Sequence, residues 1–256
     1  MLEETSQDMP HLLDPMLALA LLMGIGAALY SSVGHAGASA YIALMALFSM
    51  PAAAMRPTAL VLNVIVASLT SWRYVSAGQF RFASLWPFLA GAVPMAFVGG
   101  AIQLPGHTYR QLVGVILLIS AIRFLWPQDQ GDERKPRDPP VLAGVLCGAG
   151  IGFLAGLTGT GGGIFLSPLL IFMAWATVRE ASGVAAVFIL CNSIAGLAGN
   201  LSVVRSLPAE LPMFIGAVIA GGLLGASIGI RLPPQTILKA LGVVLIIAGL
   251  KLIGVY

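Results

Sequence analysis

Residues 150–175 read GIGFLAGLTGTGGGIFLSPLLIFMAW, and residues 24–48 read GIGAALYSSVGHAGASAYIALMALF. The same kind of segment thus occurs twice, about 125 residues apart: an apolar stretch interrupted at its centre by glycine and small polar residues. A helix of this composition breaks where the glycines cluster, since each glycine in a helix interior loses roughly 1 kcal/mol relative to alanine. Broken helices at matching positions in two halves of a membrane chain point to a binding site for a transported solute.

Composition places the chain in a membrane. Hydrophobic residues make up 58% of its 256 residues and charged residues only 9%, with a mean hydropathy of +0.96. Soluble domains carry roughly 25% charged residues. The pI near 9.1 does not indicate nucleic acid, because the basic residues sit in short connections or at helix ends, where they set topology. Cys147 and Cys191 both lie in apolar segments and imply packing, not a disulfide framework. The acidic start MLEETSQDMPHLLDP has no basic n-region, so the first apolar segment is expected to be retained as its own insertion signal.

Apolar runs at about 16–50, 57–76, 82–103, 108–126, 141–176, 181–203, 208–230 and 234–255 divide around one long polar stretch, PQDQGDERKPRDPP. The expected organisation is a polar tail (1–15), a first transmembrane repeat (16–126), a linker (127–140) and a second repeat (141–256). The repeat extends beyond the broken segments. Leu104-Pro105 and Thr108 before LVGVILL correspond to Leu232-Pro233 and Thr236 before ALGVVLI, and Arg123 corresponds to Lys251.

A segment of about 35 residues would reach roughly 52 Å as one helix, against a hydrocarbon core of about 30 Å. Either the chain folds back at the break as a hairpin, or one helix continues beyond the membrane. With hairpins and an outer N-terminus, the inside collects Arg73, Arg81, Arg123, Arg134, Lys135, Arg137, Arg179, Arg231 and Lys239, leaving Arg56, Arg110, Arg205 and Lys251 outside. That split of nine to four follows the positive-inside rule better than the eight to five of full crossings. The fold expected is an all-α polytopic membrane protein of two inverted repeats, each a broken-helix hairpin plus three transmembrane helices.

The breaks carry the candidate site. Irregular backbone at membrane depth survives only when buried in protein or lining a wet cavity. Helices restarting after Gly34, His35, Gly37 and Ser39, and after Gly159, Thr160, Gly161, Gly162 and Gly163, direct free N–H groups at the gap and attract an anion. Gly24, Gly148, Gly221, Gly222 and Gly225 read instead as helix-packing positions. All ten acidic residues lie in the tail, the linker, short loops or at helix starts. Cation carriers commonly place Asp or Glu in the pathway, so an anionic substrate is favoured.

His35 is the one histidine inside an apolar segment; it suits proton-coupled binding, or it caps a broken helix as a neutral ring. The following spans hold Asn63, Ser68, Thr70 and Ser71 in one half and Ser182, Asn192 and Ser193 in the other. Each could bind a substrate oxygen or tie helices together, with Asn63 and Asn192 the strongest binding candidates. Arg73, Arg81 and Arg205 read as snorkelling anchors. No metal-ligand spacing, cofactor motif or nucleophile motif is present, which sets an intramembrane enzyme well behind a carrier, an anion channel or a scaffold subunit.

Over residues 16 to 255 the chain resembles the TauE/SafE-type sulfite exporter family. The most specific part is GIGFLAGLTGTGGGIFLSPLLI followed by EASGVAAVFILCNSIAGLAGN. It is similar to the family's glycine-rich segment with a downstream proline, here Pro168, and a small-residue helix bearing hydroxyls. The first half departs from that pattern with GHAGAS, including His35 and Ser39. The resemblance implies movement of sulfite, thiosulfate or an organosulfonate across a bacterial inner membrane, with proton coupling. From the residues alone the expectation is a small anionic substrate held between two repeats, in a lipid bilayer, moved by alternating access. The oligomeric state stays open, a homodimer included.

Overall fold

A computed structural model describes residues 14–125, 136–200, 207–228 and 234–255. Most of the expected tail and linker, Leu232-Pro233 and the anchor Arg205 lie outside the described residues. The elements are α1 (Pro15–Ser31), α2 (Ala38–Leu47), α3 (Ala52–Ser76), α4 (Phe82–Ala101) and α5 (Gly106–Leu125), followed by α6 (Val141–Thr158), α7 (Gly163–Phe172), α8 (Val178–Gly199), α9 (Leu211–Ile228) and α10 (Pro234–Ile253). The protein is all-helical among the described residues. Five helices, α3, α4, α6, α8 and α9, are long and apolar enough to cross a membrane. Large apolar side chains such as Leu142, Leu146 and Phe172 stand exposed on the outside of the bundle, where lipid would cover them.

Local sequence explains the boundaries. Asp14 caps α1 by accepting from the Met16 N–H at 2.9 Å, with Pro15 as the first helical residue. Thr177 and Glu180 form a capping box at the start of α8. Both long broken segments end their first helix before the glycines and start a second one after them. Ten residues reach only about 15 Å, so α2 and α7 cannot span the bilayer alone.

The chain folds back at each break. A β-carbon built on Gly26 would lie 3.2 Å from that of Ala40, although a straight helix would set those positions about 21 Å apart. One built on Gly162 would lie 2.8 Å from Ile151 Cγ2. The backbone repeats as closely as the sequence: φ is +80° at Gly34 and +85° at Gly159, +99° at Gly37 and +80° at Gly162, +58° at Ser49 and +53° at Ala174. Each pair is separated by 125 positions, so both halves execute the same break and the same left-handed exit from the short helix.

The halves interlock. In α4 against α6, Gly144 meets Pro87, Gly148 meets Phe88, Gly152 meets Ala92 and Gly156 meets Ala96, so the pair runs parallel. Gly221 on Gly24 and Gly225 on Ala28 set α1 parallel to α9. Conversely, Arg56 reaches Asn200 and Asn63 reaches Ser193, which makes α3 and α8 antiparallel. The approach of Gly114 to Gly249 and of Gly242 to Leu125 does the same for α5 and α10.

Along the parallel seams backbones touch directly. A β-carbon on Gly148, Gly156, Gly221 or Gly225 would lie 1.9–2.2 Å from a carbonyl oxygen of the facing helix, bearing out the packing role read for Gly24, Gly148, Gly221 and Gly225. Small residues at such contacts supply the van der Waals packing that lipid does not compete for. We expect Gly156→Ala to lower the melting temperature of the detergent-solubilised protein, with a loss of about 1–3 kcal/mol from overpacking. Gly150→Ala in the same helix, where nothing lies within 4 Å, should leave it unchanged or raised.

Candidate functional site

The two breaks meet at the centre of the bundle around one small cavity. Its walls come from the first break (Tyr30, His35–Ser39), from Asn63 on α3, from Thr160 and Ile164 at the second break, and from Ile189 on α8. The volume is about 10 Å³, room for roughly one water. No carboxylate, lysine or arginine lines it. The N-terminal residues Ala38 and Ser39 of α2 and Ile164 of α7 all face it, so the positive ends of two helices converge there.

Asn63 is the hub. Fully buried, it accepts from the Ala38 N–H through Oδ1 at 3.1 Å, satisfying one orphan amide of α2. Its Nδ2 donates to Ser193 Oγ at 3.3 Å. A β-carbon on Gly161 would lie 2.6 Å from the same Nδ2, so one amide touches both breaks and α8.

His35 bridges the halves. Nδ1 stands 3.1 Å from the Val33 carbonyl, and a carbonyl can only accept, so Nδ1 carries a proton. Nε2 stands 3.3 Å from Ser167 Oγ on α7; in the neutral ring it accepts the serine proton, and on protonation the direction reverses. Tyr30 packs edge-on to the imidazole, with ring centroids 6.4 Å apart. Tyr41 donates to the Ala36 carbonyl at 2.6 Å, holding the turn from the other side.

The expected site residues therefore separate. His35, Gly37, Ser39, Asn63 and Thr160 come together on the cavity wall. Gly159, Gly161, Gly162 and Gly163 shape the second break behind it: Gly159, Gly161 and Gly162 hold left-handed φ, and a β-carbon on Gly163 would lie 3.2 Å from His35 Cδ2. Gly34 holds φ +80° against Ser182, away from the cavity. Asn192 lies one helical turn beyond Ile189, buried, with neither amide atom hydrogen-bonded. Ser68, Thr70 and Ser182 each donate to a carbonyl four residues back in their own helix, so none spends its proton on tying two helices together. Arg73 and Arg81 bond Ser227 and Asp138 respectively.

Arg56 is the residue that charge counting missed. Treated as a topological charge, it is 6% exposed and inserted among three helix ends. Nη1 donates to the carbonyls of Ile102 at 2.8 Å and Leu157 at 3.2 Å. Nη2 donates to the Gly100 carbonyl and to Asn200 Oδ1, both at 2.8 Å. The guanidinium thus sits on the negative C-terminal ends of α4, α6 and α8, whose dipoles stand in for a carboxylate. Tyr109 adds a bond to the Thr158 carbonyl at 2.9 Å, so α6 is clamped as it enters its break. At the other break Tyr74 plays that part, donating to the Ser32 carbonyl at 3.0 Å. Only the sequence position of Arg56, at the start of an apolar run and followed by Pro57, hinted that it is not a surface cation.

Sequence comparison agrees with this architecture. The model of the family described as Sulfite exporter TauE/SafE matches residues 17–252. A probable membrane transporter protein of Sinorhizobium fredii is 38% identical over 245 residues, 93% of this chain and 98% of the relative. Another probable membrane transporter protein, of Methanocaldococcus jannaschii, is 28% identical over 65% of this chain and 62% of its own length. No solved structure matches significantly.

Replacing Arg56 tests the clamp. Arg56→Met strands the carbonyls of Gly100 and Leu157 in a buried place, each worth about 1–3 kcal/mol when unsatisfied, and should strongly lower the detergent melting temperature. Arg56→Lys, a point charge without the planar fork, should recover only part of it.

Proposed function

We propose that this chain, which belongs to the sulfite exporter TauE/SafE family of multi-pass membrane transporters, moves a small sulfur-containing anion across a bacterial inner membrane by alternating access. The observation that carries the reading is the convergence of two helix N-termini on a cavity without any carboxylate, an arrangement that favours negative charge. The antiparallel packing of the equivalent helices α3 and α8, and of α5 and α10, supports two inverted repeats that exchange roles between inward and outward states. Sulfite, thiosulfate and organosulfonates fit the family's description and the hydroxyl, amide and imidazole groups at the breaks.

A cavity of about 10 Å³ is too small for any of these anions, so binding requires the walls to move apart. Substrate oxygens would bond Ser39, Thr160 and Asn63 once the halves rock apart. Proton coupling falls to His35, whose bond to Ser167 reverses direction on protonation, linking one proton to the contact between the repeats.

Purified protein in proteoliposomes should take up labelled sulfite, thiosulfate or an organosulfonate saturably; absence of saturable flux for every sulfur anion overturns the substrate class. His35→Gln should flatten the pH dependence of that flux, since it removes the one imidazole on the cavity wall.

Asn192 adds an independent test of the second conformation. It is 1% exposed with neither amide atom bonded, a burden of about 1–3 kcal/mol per group in this state. Asn192→Leu should raise the melting temperature of the resting protein while slowing flux. A variant that is both less stable and fully active would show that Asn192 has no partner waiting in another state.

A further inference from the structure

A second cavity lies apart from the central one. At the end of the bundle where α2 stops, α5 starts and α10 ends, a pocket of about 230 Å³ opens to the outside. His107, Arg110 and Lys251 line it together with Ser49 and Gln111, and no carboxylate does. Its floor is apolar, built partly from the buried Met50 and Met55.

The three basic groups are placed differently. Lys251 donates through Nζ to the Leu47 carbonyl at 2.7 Å and lies 3.4 Å from Ser49 Oγ. The ammonium is thereby fixed at the C-terminal end of α2, which it neutralises, with one of its three donors still unused. His107 and Arg110 are exposed and lie in the first turns of α5, whose unbonded amides add positive potential at the same mouth. Among the described residues the single ion pair is Arg81 with Asp138, so nothing acidic answers the charge of Arg110.

We propose that this pocket is a second anion site, taking a phosphate- or sulfate-type oxyanion between Arg110, His107 and the free donor of Lys251. An organic tail or acyl stem on the anion would rest on the methionine floor. The chemistry is the same whether the oxyanion is free in solution or is the headgroup phosphate of an anionic lipid. The site stands apart from the central cavity and does not depend on what that cavity carries. Because Lys251 grips the end of α2 while the start of α2 forms the central wall, an occupied pocket bears on the helix that shapes the transport site.

The test uses the full chain in lipid nanodiscs. In phosphatidylcholine discs, titration with inorganic phosphate or sulfate followed calorimetrically should saturate. The double variant His107→Gln/Arg110→Gln should weaken that binding about tenfold, the worth of one hydrogen bond to a charged group; both residues are exposed, so the fold is not at stake. Arg110→Lys should retain most of it. In discs mixing phosphatidylglycerol with phosphatidylcholine, retention of phosphatidylglycerol through delipidation, lost in the double variant, identifies a lipid headgroup as the source of the oxyanion. Wild-type protein that neither binds soluble oxyanion nor retains phosphatidylglycerol overturns the proposal, and so does a double variant equal to wild type in both arms.

Discussion

Hydrocarbon supplies no hydrogen bonds, so every residue that leaves the helix at membrane depth must be satisfied by protein. This protein leaves the helix twice, at 32–37 and 159–162, and the rest of the structure follows from meeting that demand. Ala38, at the start of α2, is served by Asn63 from α3. Carbonyls at the end of α6 are served by Arg56 from α3 and Tyr109 from α5, and that of Ser32 by Tyr74. His35 reaches across to α7. Most of these partners come from a different helix, and several from the other half. The second break in particular is closed by Arg56 and Tyr109 of the first half.

That dependence explains the glycine seams. A partner such as Asn63 can touch both breaks only if the helices that carry them approach to backbone contact. Parallel pairs α1 with α9 and α4 with α6 reach that distance because glycines face carbonyls on successive turns. Lipid is as apolar as leucine, so larger side chains would add no drive to associate, whereas close small-residue contact does. The seams and the breaks are one design problem, which is why both occur in both halves at the same interval.

Much of this was legible in the sequence. The repeat, the two breaks and the ten helices could be read from glycine clustering, apolar run length and caps such as Thr177 with Glu180, because those features are local. Asn63 was legible as a lone amide in an apolar span. What stayed hidden depends on who meets whom. Arg56 looked like a loop charge because its partners are main-chain carbonyls of Gly100, Ile102 and Leu157, which carry no sequence signature. Tyr30 and Ser167 were invisible as partners of His35, since any aromatic or hydroxyl at those positions would read as packing. The hydroxyls of Ser68, Thr70 and Ser182 suggested ties between helices, but in an apolar span they satisfy their protons on their own helix.

The two breaks are held with unequal strength. The second is fixed by a guanidinium spanning three helix ends plus a tyrosine. At the first, the end of α1 is held by the Tyr74 hydroxyl, a neutral donor. Hydrogen bonds to charged groups contribute about 1.5–3 kcal/mol and neutral ones about 0.5–1.5, so separating α1 from its clamp is the easier step. The first break also carries His35, a group whose bond across the interface changes direction with a proton. The glycine-rich break is therefore the better fixed cradle. The histidine-bearing break, whose α1 end is held by a neutral donor, is the more lightly held.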